Sequence, residues 1–225
     1  MEINLSKIED KLIVEAYFSV LSRINYAKQS TDDVHLVAVS KTFSRASIEP
    51  VLKSGQRIFG ENKVQEAQSK WIELKHEYPD CELHMIGPLQ TNKAKDAVAL
   101  FDVIQTLDRP KLAKILAKEM VKQNKHVNLF IQVNTGNELQ KAGVEVALLP
   151  EFFEYCKKEL KLPIIGLMCI PPQAEDAAFH FAMLKELADQ LGLANLSMGM
   201  SSDFENAIKC GANYVRVGSA IFGHR

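Results

Sequence analysis

Long apolar runs are missing from this 225-residue sequence. No stretch approaches the ~20 consecutive apolar residues that cross a bilayer. The start, MEINLSKIEDKL, sets acids among its apolar residues and has neither the basic opening nor the apolar core of a secretory leader. An excess of one charge is also missing. Lys and Arg number 27 against 28 Asp and Glu, for a net charge of −1, which argues against nucleic acid or an anionic membrane as a partner. Cysteine is scarce: Cys81, Cys156, Cys169 and Cys210 are widely spaced, with no CxxC pair. Reduced thiols are expected, not a disulfide framework or a zinc site. These absences together predict a soluble, cytoplasmic protein. HExxH, GxSxG and GxGxxG are absent as well, so a metal-binding helix, a nucleophile elbow and a dinucleotide turn have no sequence support.

What is present looks globular. Hydrophobic residues make up 47% and charged residues 24%, and the length suits a single domain with a sizeable core. Residues 5–28 predict an amphipathic helix, with Leu5, Ile8, Leu12, Val14, Ala16, Val20, Leu21 and Ile24 mostly at helical spacing. Eight short apolar runs follow, at 35–40, 57–60, 82–87, 101–106, 127–133, 163–170, 196–200 and 213–218. Helical patterns separate them near 45–54, 62–77, 89–99, 109–124, 145–160, 174–191 and 203–210. Ser44 and Asp108 are candidate N-caps, the latter with Pro110 just inside its helix. Gly55, Gly192 and Gly211 fall where helices would end. Strand–helix alternation implies parallel strands with crossover helices, and eight repeats predict a single (β/α)8 TIM-type barrel over residues 1–225 with an extra N-terminal helix. An open doubly wound sheet is the competitor, but its first βα junction here reads SKTFS, not a glycine fingerprint.

In such a barrel the chemistry sits at the C-terminal ends of the strands. There the sequence places Lys41 after strand 1, Asn62 after strand 2, Met200, Ser201 and Ser202 after strand 7, and Arg216, Gly218 and Ser219 at strand 8. Lys41 is either a strand-end lysine in solvent or a Schiff-base amine, freed for attack by desolvation. The two Gly/Ser turns are either plain turns or an anion site, because unpaired N–H groups at helix starts attract phosphate. Arg216 shares a strand face with Gly218, so if Gly218 faces a phosphate, Arg216 faces the barrel interior. It meets either a distant acid or an acceptor such as an aromatic ligand nitrogen. Asn62 serves the mouth or caps a helix, and His84 reads as a core histidine.

The segments VAVSKT (37–42), FGENKVQEA (59–67), HMIGPLQTNKAK (84–95), GLMCIPP (166–172), SMGMSSD (197–203) and RVGSAIFG (216–223) resemble the pyridoxal phosphate homeostasis proteins. That family looks like the barrel domain of alanine racemase standing alone. The resemblance implies that Lys41 forms a Schiff base with pyridoxal 5′-phosphate (PLP). It also implies that Ser201, Ser202, Gly218 and Ser219 hold the phosphate. Arg216 would face the pyridine nitrogen, with Asn62 and Met200 lining the pocket. It implies a role in vitamin B6 balance without an established reaction.

Two functions of different class follow. The first is a carrier that holds PLP reversibly and donates it, with apo PLP-dependent enzymes as partners. The second is a PLP-dependent amino-acid racemase or related enzyme. Racemisation needs a second acid/base, which in alanine racemases is a tyrosine from a second domain. Here the sequence ends at Arg225 directly after the last barrel motif, and Tyr17, Tyr26, Tyr78, Tyr155 and Tyr214 all fall within the repeats or the first helix. An always-protonated Arg216 would leave the ring nitrogen bare and the ring a weak electron sink. The expectation is therefore a non-catalytic binding protein. A cofactor-free Schiff-base aldolase is a third, minor reading.

Overall fold

The computed structural model describes residues 5–29, 33–138 and 140–223. Nine strands form one parallel sheet: β1 (His35–Val39), β2 (Ile58–Glu61), β3 (Glu82–Met85), β4 (Val103–Leu107), β5 (Asn128–Asn134), β6 (Val144–Glu145), β7 (Ile164–Cys169), β8 (Asn195–Ser197) and β9 (Tyr214–Val217). β1 pairs with β9 and β4 with β5, so all strands but β6 close into an eight-stranded barrel. The expected (β/α)8 barrel is the fold. β6 is a two-residue hook on the end of β5, pairing Val133 with Val144 and Asn134 with Glu145; it is too short to leave a periodic signal.

The helices are α1 (Leu5–Ala27), α2 (Arg45–Lys53), α3 (Val64–Glu77), α4 (Ala94–Leu100), α5 (Pro110–Gln123), α6 (Leu149–Glu154), α7 (Ala177–Gln190), α8 (Phe204–Lys209) and α9 (Ser219–Phe222). α1 buries Tyr17, Val20 and Ile24 and packs on α2, α8 and α9. The strands sit where the apolar runs fall, with ends moved by one to three residues. The pattern at 145–160 divides: a 3-10 turn over Val146–Leu148 leads into α6, which widens to a π-turn over Tyr155–Glu159.

Helix punctuation follows side-chain chemistry. Ser44 caps α2, its side chain accepting from the Ser47 N–H. Gly55, Gly192 and Gly211 each directly follow a helix C-cap with φ of +100°, +66° and +95°, a conformation that disfavours a Cβ. Asp108 is not the cap of α5. Arg109 holds that position with Pro110 next, and the Asp108 carboxylate is drawn into an ion pair with Arg109 instead.

Two apolar layers result. Between barrel and helices, Phe59 packs on Trp71 with ring centroids 4.9 Å apart, and both are fully buried with Leu74 and Leu83. Each such aliphatic or phenyl side chain contributes about 1.5–3 kcal/mol. Inside the barrel, Val103, Phe130 and Met168 form a smaller cluster with Tyr214 against it. His84, Gln105, Ser197 and Arg216 add buried polar groups.

Candidate functional site

β1 ends at Val39, and the chain turns at once through Ser40, Lys41 and Thr42. Ser40 N–H donates to Gly60 O at 3.0 Å, and Phe43 N–H closes the turn on Ser40 O at 3.2 Å. Lys41, at the tip, is exposed and has no hydrogen bond or ion pair among the described residues. The structure thus places Lys41 exposed in the turn directly after β1.

The turn is gripped from outside the barrel by α3. Lys70 Nζ donates to Ser40 O at 2.8 Å and to Phe43 O at 3.1 Å. It also pairs with Glu61 at 2.8 Å and Glu66 at 3.0 Å. Glu61 Oε1 accepts from Ser40 Oγ at 2.6 Å and Trp71 Nε1 at 3.0 Å. Burial pushes the Glu61 carboxyl up, against the pull of Lys70, Ser40 and Trp71. Burial also acts on Glu66, but the Thr42 N–H and the Lys70 ammonium outweigh it and hold that carboxyl below its ordinary value.

Arg216 points into the barrel, as its spacing from Gly218 predicts, and is 4% exposed. Nη1 donates to Ser197 Oγ at 2.7 Å and Nη2 to Cys169 O at 2.8 Å. Among the described residues no carboxylate pairs with it, which removes the distant-acid alternative. Burial lowers its pKa to about 10, so it stays a cation at neutral pH. Ser197 Oγ donates onward to Gln105 Oε1 at 2.6 Å, and Gln105 Nε2 meets His84 Nδ1 at 2.7 Å. His84 Nε2 meets Glu82 Oε1 at 2.5 Å. Since Gln105 Nε2 can only donate, His84 Nδ1 accepts and its Nε2 carries the proton. A directed row of hydrogen bonds thus crosses the barrel from a cation to a carboxylate, and His84 is a core histidine.

The rim brings the remaining candidates side by side. A Cβ on Gly218 would lie 3.2 Å from Val39, so the ends of β9 and β1 are neighbours. Ala220 N–H donates to Ser201 Oγ at 3.4 Å, joining the turn after β8 to the start of α9. Met200 N–H donates to Asp203 Oδ1 at 2.6 Å, and Met200 O accepts from Phe204 N–H at 2.9 Å, which fixes the Met200–Ser202 turn. The main-chain N–H groups of Ser201, Ser202 and Ser219 have no acceptor among the described residues. Ser201 and Ser219 are half-buried, Ser202 exposed, and Met200 is 37% exposed. Asn62 is half-buried after β2. Gly87 lets the next loop press on it, because a Cβ there would come within 2.3 Å of Asn62 O. Asn62 lines a cavity of about 400 Å³ with Lys63, Pro88, Gln90 and Lys93. A cavity of about 680 Å³ lies away from these residues, beside α5 and α6 and lined by Asp108, Lys114 and Tyr155.

Sequence reading passed over Lys70 and Gln105. Gln105 carries a signal: it interrupts an apolar strand two residues after Val103, on the same face. Lys70 also does, since Val64, Ala67, Trp71 and Leu74 mark the buried side of α3 on which it falls.

Residues 19–225 match the family model of the alanine racemase N-terminal domain. The pyridoxal phosphate homeostasis protein of Aquifex aeolicus is 42% identical over 199 residues, covering 84% of this chain and 86% of its own. That of Pseudomonas aeruginosa is 41% identical over 224 residues, covering 95% and 96%. The PLP-bound structure of PipY from Synechococcus elongatus superposes with a TM-score of 0.82 at 36% identity, covering 94% of this chain and all of that one. The alanine racemase of Bartonella henselae shares the fold, with a TM-score of 0.74 at 16% identity over 61% of its length.

Proposed function

The chain belongs to the pyridoxal phosphate homeostasis proteins, and from that premise we propose that it binds PLP at the barrel mouth, holds it on Lys41 as a Schiff base and passes it to apo PLP-dependent enzymes. The observation that carries this reading is the Arg216 guanidinium, buried yet hydrogen-bonded among the described residues to a hydroxyl and a carbonyl and to no carboxylate. A buried cation without a carboxylate suits a neutral acceptor, and a pyridine nitrogen is one. The N–H groups of Ser201, Ser202 and Ser219, without an acceptor among the described residues, suit a phosphate, with Gly218 opening the second turn. Lys41 supplies a free amine, while Asn62 and Met200 flank the mouth. When bound, PLP would supply an aldehyde with which the Lys41 amine could condense, with loss of water.

Holding is favoured over catalysis. Relatives at 41–42% identity carry the name of homeostasis proteins, although the racemases that share the fold are enzymes. Arg216 remains a cation and offers the ring nitrogen a donor it will not give up, which keeps the ring a poor electron sink. Racemisation also asks for a second acid/base across from Lys41. The tyrosines stand elsewhere: Tyr17 and Tyr26 on α1, Tyr78 after α3, Tyr155 beside α5, and Tyr214 against Phe130. The test combines transfer and turnover. The PLP-loaded protein should activate an apo-enzyme faster than its off-rate into buffer allows. Across the amino acids it should yield no product beyond free PLP. Multiple-turnover racemisation or decarboxylation that depends on Lys41 would instead establish an enzyme.

A further inference from the structure

Thr42 has φ +67°, the left-handed region that a β-branched residue avoids. Such a conformation persists only where surrounding contacts over-determine it. They do so here, chiefly through side chains of α3 and of the end of β2. Lys70 Nζ binds the carbonyls on both sides of the tip, Ser40 O at 2.8 Å and Phe43 O at 3.1 Å. The Glu66 carboxylate takes the Thr42 N–H itself. Glu61 takes the Ser40 hydroxyl at 2.6 Å and anchors Lys70 at 2.8 Å. Lys70 is 8% exposed and Glu61 fully buried. Behind the turn lies a cavity of about 360 Å³ lined by Thr42, Phe43, Glu66 and Lys70; the Phe43 ring packs on Phe222 with centroids 5.0 Å apart, while the tip at Lys41 and Thr42 is exposed and the Thr42 N–H is held by a polar contact.

We propose that Lys70, seated by Glu61 and Glu66, is a positioning residue for Lys41: it locks the strained Ser40–Phe43 turn so that the Lys41 amine stands ready at the rim. The proposal rests on Lys41 being the lysine that takes PLP. Among the described residues Lys41 has no side-chain partner to orient it, so its approach is set by the backbone that carries it. Among the described residues Lys70 has no hydrogen bond or ion pair with Asn62, Met200, Ser201, Ser202, Arg216 or Ser219; it reaches the turn through the two carbonyls and through Glu66. Looseness in this turn should slow C=N bond formation and leave contacts made by the other strand ends intact, because small misplacement of a reacting group is enough to lower a rate.

The experiment compares two ligands on wild type, Lys70→Met and Glu66→Ala. PLP can bond to Lys41; pyridoxamine 5′-phosphate offers the same ring and phosphate but no aldehyde. Glu66, partly exposed, provides a variant that folds even if Lys70→Met, which strands the buried Glu61 charge, does not. Both variants should form the borohydride-trappable adduct about tenfold or more slowly than wild type, with pyridoxamine 5′-phosphate affinity unchanged. Lys70→Arg should recover part of the rate. Equal loss for both ligands would mean a merely structural role, and an unchanged adduct rate would remove the role altogether; either overturns the proposal. If wild type forms no adduct on Lys41, the underlying reading fails instead, and the two failures are distinct.

Discussion

Arg216 Nη1 donates to Ser197 Oγ at 2.7 Å, and that same hydroxyl donates to Gln105 Oε1 at 2.6 Å. Ser197 is fully buried, so its removal leaves two buried partners short of a bond. Ser197→Ala should destabilise the fold by about 1–3 kcal/mol. The check is a urea midpoint that falls while the slope stays the same. An unshifted midpoint would mean that the row across the barrel adds nothing to stability.

The second prediction concerns the ring nitrogen. Arg216→Glu replaces a permanent donor with a group that can share a proton. PLP bound to this variant should absorb differently from PLP bound to wild type, because its pyridine nitrogen can then be protonated. Circular dichroism serves as the control for folding. An identical spectrum with PLP bound would place Arg216 away from the ring.

The far end of the row is pH-dependent. The His84 N–H holds the Glu82 carboxyl below its ordinary value, more than offsetting partial burial. A carboxyl depressed in the folded state adds stability above its unfolded pKa of about 4.3, and that stability is lost as pH falls through the folded value. Wild type should therefore be more stable than Glu82→Gln near neutrality, and the gap should close below about pH 4. A gap that stays constant across this range would contradict the assignment.

Ser219→Glu tests the phosphate end. A new carboxylate beside the unpaired N–H groups should repel a dianion and leave a neutral hydroxymethyl group alone. PLP binding should weaken by about tenfold or more, and pyridoxal binding far less. Equal weakening of both would move the phosphate away from these turns.

Much of this arrangement was legible because parallel strands covered on both faces must be apolar throughout. HLVAVS and VNLFIQV stand out against the helical segments between them, and eight such runs specify the closed barrel. Strand alternation put Arg216 on the face of Gly218, and the inward direction followed once that glycine was assigned to the mouth. Two things were hidden. The burial state of Lys41 depends on where β1 stops, and a strand end is set by its neighbours' pairing, not by its own residues. The partners of Lys70 lie 27 and 30 residues away, so its helix face marked it as buried but nothing local identified the carbonyls it would meet. Asp108 failed as a cap for a related reason: Arg109 offered its carboxylate a stronger partner than the helix N–H groups did.

The central claim is that Lys41 carries PLP. Borohydride reduction of the PLP-loaded protein, followed by peptide mapping, tests it most directly. A pyridoxyl group on Lys41, absent from Lys41→Ala, is the predicted result. The cavity beside Asn62 offers two rival amines, Lys63 and Lys93, and a pyridoxyl group on either of them in place of Lys41 would contradict the account.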